Sequence, residues 1–115
     1  MNTIIVTPKM RKLHLGRVGE NERTKFVFDV SDLVEEYPDA DIVLLNQRPG
    51  EYTAYECELS APDENGKVEW TITSEELTKD GDGICQIQAK DGTTNARTKT
   101  WDTEIGKGLY VPEEE

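Results

Sequence analysis

Short runs in which apolar and polar side chains alternate dominate this sequence and restrict it to a fold built from β-strands. Residues 24–30 form the clearest run, with Phe26, Phe28 and Val30 on one face and Lys25 and Asp29 on the other. Successive side chains of a strand point to opposite faces, so one face of this strand is predicted to lie on a core and the other in water. The same alternation predicts half-buried antiparallel strands at residues 55–59, 68–72, 85–89 and 98–105.

Three further segments complete the predicted set of strands. Residues 42–45 are apolar on both faces, which is typical of a central strand that is covered on each side. Residues 4–6 and 10–15 are strand candidates near the N-terminus. Strands that follow one another at intervals of about 8–12 residues predict an all-β sandwich of about seven to eight strands.

Turn-forming residues separate these runs. The pair Asn65-Gly66 predicts a hairpin between the strands at 55–59 and 67–72. The glycine-rich segments 80–83 and 91–92 predict tight reversals. Ser31 and Ser74 each open a predicted short helical turn, in which the serine caps free N–H groups and acidic residues of the first turn suit the helix dipole.

The charge balance and the distribution of apolar residues exclude several functions. The chain has 115 residues, with 13 Lys+Arg against 24 Asp+Glu and a formal net charge of −11, and this length is typical of one domain. A sequence pI near 4.5 argues against nucleic-acid binding, which depends on clustered Lys and Arg. The apolar run at 42–45 is far shorter than the ~20 residues that span a bilayer. No signal peptide is recognisable, so we expect synthesis in the cytoplasm with free thiols.

Residues able to support catalysis are scarce. His14 is the single histidine and is predicted to lie on the surface or at a strand edge. The sequence contains no Walker loop, no G-x-S-x-G elbow and no H-E-x-x-H motif. Segment 80–83 lacks the ligand spacing of a calcium loop, and the carboxylate pairs at 35–36 and 75–76 are predicted to be solvated. We therefore predict a non-enzymatic protein with no catalytic residues, no metal and no cofactor.

The two cysteines invite comparison with the Cys…Trp…Cys order of immunoglobulin domains. Cys57, Trp70 and Cys85 follow that order, but in those domains the Trp lies close to the first Cys. Both cysteines fall on predicted inward faces. Buried free thiols are therefore favoured over a disulfide, although the sequence leaves their redox state open.

A basic cluster near the N-terminus is the main candidate for a binding surface. It contrasts with an otherwise acidic chain, and complementary charge steers protein association. One interpretation is charge balance against the acidic body of the domain. The other is a protein-docking surface for an acidic neighbour, such as the tail of another copy. The candidate docking residues are Lys9, Arg11, Lys12 and Arg17.

Aromatic residues suggest a second, weaker candidate. Tyr52 and Tyr55 follow a proline-glycine turn, and Trp101 and Tyr110 lie towards the C-terminus. Exposed on one face, such side chains would form a platform for sugar rings. The alternative is that Trp101 belongs to the core and that the tyrosines are ordinary strand residues. Ligand-binding residues are otherwise unknown.

The order of these segments resembles the N-terminal immunoglobulin-like domain of phage baseplate upper proteins and related small phage virion domains. The resemblance covers roughly residues 20–109. It rests on FVFDV at 26–30, IVLLNQRPG at 42–50, GKVEWTI at 66–72, LTKDGDG at 77–83, the strand at 86–89 and KTW…I at 99–105. These are patterns of strands and turns, and they carry no catalytic residues across. The resemblance implies an immunoglobulin-like antiparallel β-sandwich with a structural role in a virion.

The implied organisation has three parts. Residues 1–19 are expected to form an N-terminal arm or edge strands that reach a neighbouring subunit. Residues 20–109 are expected to form the immunoglobulin-like sandwich, and residues 110–115 an acidic tail or linker.

The resemblance implies a tail or baseplate component that docks a fibre or receptor-binding apparatus. Its expected partners are other phage virion proteins and further copies of itself, and its expected location is the virion, assembled in the cytoplasm of the host bacterium. A capsid decoration or head-fibre protein is the alternative within this class. A carbohydrate-binding module that contacts a bacterial surface glycan is the alternative outside it. Nucleic acid and membrane are not expected partners.

Overall fold

The computed structural model describes residues 1–108, which form eight strands and one short helix. In most strands, every second side chain is buried, so the predicted alternation is observed directly. Within residues 1–108, no helix is long and apolar enough to cross a membrane. In chain order the elements are β1 (Asn2–Ile5), β2 (Lys12–Arg17), β3 (Thr24–Asp29), α1 (Ser31–Glu36), β4 (Asp41–Gln47), β5 (Tyr55–Cys57), β6 (Lys67–Thr71), β7 (Gly81–Asp91) and β8 (Thr94–Gly106).

The strands form two sheets. Three strands lie in the order β1-β3-β6, and five lie in the order β2-β8-β7-β4-β5. Their inner faces enclose one core, in which Phe26 packs against Trp70 at 6.1 Å between ring centroids and Phe28 against Trp101 at 5.0 Å. The predicted all-β sandwich of about seven to eight strands with short helical turns is confirmed.

Two strand pairs depart from the predicted antiparallel arrangement. β1 runs parallel to β3, and β2 runs parallel to β8, whereas the other strand pairs are antiparallel. The cause is the path of the N-terminal segment, which contributes one strand to the edge of each sheet and crosses between them at residues 6–11.

The N-terminal segment is integral to the domain. Val6, Leu13 and Leu15 are buried in the core. Residues 1–19 therefore form edge strands of both sheets, and they do not extend away from the body as a free arm. The predicted tail at 110–115, together with the last residue of the predicted 20–109 sandwich, lies outside the described residues.

The predicted hairpin at Asn65-Gly66 is wrong as a strand pairing. A turn does form there, because Gly66 has a φ of 75° and the carboxylate of Asp63 accepts hydrogen bonds from the N–H groups of Asn65 and Lys67. However, β5 pairs with β4 in one sheet, whereas β6 pairs with β3 in the other. The turn therefore lies on the connection that carries the chain from one sheet to the other.

Two other local predictions need correction. Ser31 does not cap α1 with its side chain; instead its N–H donates to Asp29 Oδ1 at 3.0 Å. Segment 80–83 is not a tight reversal, because β7 begins at Gly81. Gly83 is needed there for close packing, since a Cβ would collide with the backbone oxygen of Gln47 and lie 2.7 Å from Thr103 Oγ1. The reversal at 91–92 and a helical turn near Ser74 are observed.

Candidate functional site

The structure places the four predicted docking residues along one edge of the domain. Lys9 and Arg11 lie on the crossing segment, and Lys12 and Arg17 lie at the two ends of β2. β2 is an outer strand of the five-stranded sheet. All four side chains are exposed.

Lys12 is already neutralised within the domain. Its Nζ lies 3.1 Å from Glu104 Oε2 and 4.0 Å from Asp82, and His14 Nδ1 lies 3.1 Å from the other oxygen of Glu104. The hydrogen bond with Lys12 holds the pKa of the Glu104 carboxyl below its usual range and raises the pKa of Lys12. For Lys12 the charge-balance interpretation therefore describes the structure.

The other three docking residues keep free charge. Within residues 1–108, Lys9, Arg11 and Arg17 form no ion pair. Arg11 also extends the strand pairing, because its carbonyl accepts a 2.8 Å hydrogen bond from the N–H of Asp102. Lys9 and Arg11 are therefore available to an acidic partner, whereas Arg17 lies beside Glu20, whose Oε1 accepts a 2.7 Å hydrogen bond from the Arg17 N–H.

Two further basic residues on this edge were missed by the sequence analysis. β2 pairs with β8 only over residues 102–106, so the outer edge of residues 94–100 faces no strand within the described part of the chain. That stretch contains Arg97 and Lys99, and Lys99 Nζ donates to the carbonyl oxygens of Pro8 at 2.9 Å and Met10 at 2.8 Å. Some 90 residues separate these groups in sequence, so no local pattern could reveal the contact. We refer to Lys9, Arg11, Lys12, Arg17, Arg97 and Lys99 as the basic edge.

The opposite edge of the five-stranded sheet lies beside a group of glutamates. There β5 and β6, outer strands of the two sheets, border an open groove of about 600 Å³. Exposed glutamates from both sheets and from the turn after β6 line it. We refer to the groove bordered by Glu56, Glu58, Glu69 and Glu75 as the acidic groove.

Only part of this negative charge is compensated. Lys90 Nζ lies 2.8 Å from Glu56, and Lys25 Nζ lies 3.3 Å from Glu69. Glu58 and Glu75 form no ion pair within residues 1–108. No local sequence pattern identifies this groove, because its glutamates come from segments that only the fold brings together.

A buried polar network supports the floor of the acidic groove. The Glu76 side chain, in a residue only 4% exposed, accepts hydrogen bonds from the N–H of Thr73 at 2.9 Å, from its hydroxyl at 2.8 Å and from the Tyr55 hydroxyl at 3.0 Å. The Tyr55 oxygen in turn accepts from Asn46 Nδ2 at 3.1 Å. The prediction of solvated carboxylates is therefore correct for Glu75 and wrong for Glu76.

Arg48 covers the same tyrosine. Its guanidinium lies 4.6 Å from the centre of the Tyr55 ring and forms a two-point contact with Glu51, at 2.9 Å and 2.7 Å. Its Nη1 donates to the carbonyl of Glu75 at 2.8 Å. Arg48 thereby ties the loop after β4 to the turn after β6.

The predicted aromatic platform is not assembled within the described residues. Tyr52 is 98% exposed, but Arg48 covers one face of Tyr55, and the Tyr55 hydroxyl belongs to the buried network. Trp101 is buried in the core. Tyr110 lies outside the described residues.

The cysteines are free and buried, as favoured from the sequence. Cys57 on β5 and Cys85 on β7 lie on strands that flank β4 on its two sides, so they do not adjoin. Burial raises the pKa of each thiol to about 12, and burial likewise raises the pKa of Tyr55. The thiols therefore stay protonated at neutral pH, which makes them poor nucleophiles.

Within residues 1–108, no group of three or more His, Cys, Asp or Glu side chains is arranged to hold a metal ion. The candidate functional features of the described residues are therefore two surfaces, the basic edge on one side of the sandwich and the acidic groove on the other. Such surfaces can recognise charged partners.

Comparison with known proteins gives a likeness of fold. No protein-family model matches the sequence, and no curated protein matches it significantly. Among solved structures, the chain is similar to the N-terminal domain of phage TP901-1 ORF48, with a TM-score of 0.58 and 11% sequence identity. The match covers 93% of this chain and 100% of that domain. The two chains therefore share a fold over almost their whole length.

Proposed function

We propose that this protein is a non-enzymatic structural component of a phage virion, located in the tail or baseplate, where its β-sandwich docks a fibre or receptor-binding apparatus. The observation that carries the proposal is the likeness of fold to the N-terminal domain of a phage TP901-1 protein over the full length of that domain. The resemblance in the order of strand and turn motifs supports the same assignment.

The surface chemistry agrees with a docking role. Three cations that form no ion pair within residues 1–108 lie on β2 and the segment before it, and an exposed strand edge offers backbone N–H and C=O groups to another chain.

The experiment is to purify particles of a phage that encodes this chain and to identify their proteins by mass spectrometry. We expect the chain in the particle at a copy number set by the particle's symmetry. Cross-linking then locates it. Cross-links to tail proteins support the proposal, whereas cross-links to the major capsid protein support a decoration or head-fibre role. Absence from washed particles would refute a virion role.

A carbohydrate-binding module is the weaker candidate, because Tyr52 alone of the predicted platform is exposed among the described residues. Glycan-array binding that is lost in Tyr52→Ala would favour that candidate over the structural role.

A further inference from the structure

The two charged surfaces lie on opposite sides of the same domain. In the five-stranded sheet, β2 is one outer strand and β5 is the other. The basic edge accompanies β2, and the acidic groove lies beside β5. Within residues 1–108, no strand pairs with the outer side of either strand. One molecule therefore displays a surface and its electrostatic complement, facing in opposite directions.

We propose that the basic edge of one copy of this chain binds the acidic groove of a second copy, so that copies associate head to tail. The inference rests on the proposed structural role, and it names the partner of the docking surface. The acidic neighbour expected from the sequence is then the β5–β6 side of another copy.

Charge decides which parts of two copies can meet. At a net charge of −11, two copies repel one another over most relative orientations. The orientation that places the basic edge against the acidic groove replaces repulsion with attraction. Within residues 1–108, the basic-edge residues without an ion pair are Lys9, Arg11, Arg17, Arg97 and Lys99, and the groove glutamates without one are Glu58 and Glu75. The basic edge also holds one exposed carboxylate without an ion pair, Asp102, which lies opposite Lys12 in the strand register.

The groove suits long basic side chains. It is open, and Leu59 contributes apolar surface beside its glutamates. Lysine and arginine bury their aliphatic stems on apolar surface while their charged ends meet carboxylates. The exposed backbone edges of β2 and β5 add a second form of complementarity, because the five-stranded sheet of one copy can continue into that of the next.

The symmetry of the assembly follows from this polarity. A contact between two different surfaces leaves one of each free on every dimer, so association continues until a ring closes or a filament grows. An edge-to-edge contact between identical surfaces would stop at the dimer.

The test uses the full chain and two charge-reversal variants. The first, Lys9→Glu with Arg11→Glu, reverses the basic edge, and the second, Glu58→Lys with Glu75→Lys, reverses the acidic groove. The control of equal charge change is Lys67→Glu with Lys79→Glu for the first variant and Asp32→Lys with Glu35→Lys for the second; these four exposed residues lie outside the basic edge and do not line the acidic groove. Sedimentation velocity over a concentration series at low salt gives the mass distribution, and circular dichroism verifies that each variant is folded.

We expect the unmodified chain and the two controls to associate, and each reversal to weaken association by about threefold to tenfold for each charge changed. An equimolar mixture of the two reversal variants should associate again, because the acidic groove of the first then meets the basic edge of the second. Added salt should weaken all of these contacts.

A monomer at every concentration, or reversal variants that associate like their controls, would overturn the proposal. Association of the unmodified chain without recovery in the mixture would show contact between identical surfaces and would equally overturn it. If a reversal variant does not fold, Lys9→Gln with Arg11→Gln and Glu58→Gln with Glu75→Gln test the same surfaces. Failure here leaves the particle experiment unaffected, so the two proposals can fail separately.

Discussion

The hydroxyl of Tyr55 is the link whose removal most directly tests the role of the buried network. It donates to the carboxylate of Glu76 at 3.0 Å and accepts from Asn46 Nδ2 at 3.1 Å. Both neighbours are almost fully buried, and Asn46 Oδ1 already lacks a hydrogen-bond partner within the described structure. Replacing Tyr55 by Phe removes one oxygen and keeps the ring beneath Arg48.

The expected cost follows from the two hydrogen bonds that the missing hydroxyl can no longer form. A hydrogen bond to a charged group contributes about 1.5–3 kcal/mol, and a buried donor without a partner costs about 1–3 kcal/mol. Since Glu76 keeps its two bonds from Thr73 and water can partly reach a half-buried tyrosine, we expect Tyr55→Phe to lower the free energy of unfolding by about 2–4 kcal/mol.

Urea denaturation followed by tryptophan fluorescence measures this difference. The control is Tyr52→Phe, which removes the same oxygen from a side chain that is 98% exposed and should change stability by less than about 0.5 kcal/mol. If the free energy of unfolding falls with urea concentration at an unchanged slope while the midpoint urea concentration is lower, the loss of stability belongs to the folded state. If both variants lie within about 0.5 kcal/mol of the unmodified chain, the network does not stabilise the fold and the reasoning is refuted.

Three other predictions concern two glycines, the two cysteines and one aspartate. In the same denaturation assay, Gly66→Ala should destabilise the fold by about 2–4 kcal/mol, because its Cβ would lie 2.5 Å from the Cα of the first residue of α1. Gly92 has a similar positive φ but open space around it, so Gly92→Ala should cost only about 1 kcal/mol. Equal costs for the two variants would contradict this reasoning. Cys57 and Cys85 should resist a thiol reagent at pH 8 until the chain is unfolded, and rapid labelling of either thiol in the native protein would argue against their burial. The hydrogen bond from the N–H at the start of α1 lowers the pKa of Asp29 in the folded chain. This contact therefore stabilises the fold above the unfolded pKa near 3.8, and the stabilisation is lost as the pH falls through the pKa of the folded chain. An NMR titration of the Asp29 carboxyl with a normal or raised midpoint would refute this prediction.

Much of the fold could be predicted because the signals for it are local. The alternation in residues 24–30 and 68–72 identifies which side chains are buried, and Phe26, Phe28, Val68 and Trp70 all lie in the core. The order of the strands in the sheets could not be predicted in this way. The turn at Asn65-Gly66 has the same local chemistry whether it closes a hairpin or a connection between sheets, and only the pairing partners of β5 and β6 distinguish the two.

The candidate site also has a part that could be predicted from local sequence and a part that depends on the pairing of strands. Lys9, Arg11, Lys12 and Arg17 are close in sequence, so their clustering was visible without a structure. The neutralisation of Lys12 by Glu104 and the contact of Lys99 with Pro8 and Met10 depend on the pairing of β2 with β8. The acidic groove could not be predicted either, because its glutamates meet only once the two sheets have packed.

The sequence by itself determined that this chain forms an acidic β-sandwich, because the period of two in its apolar residues dictates which face of each strand avoids water. Only the tertiary structure decided that Glu76 is buried while Glu75 is exposed, and that glutamates from separate segments meet in the acidic groove. Burial of a carboxylate requires hydrogen-bond donors that converge from distant segments, here from Tyr55 and Thr73. Contacts of that kind have no period along the chain, and they exist only once the two sheets have packed.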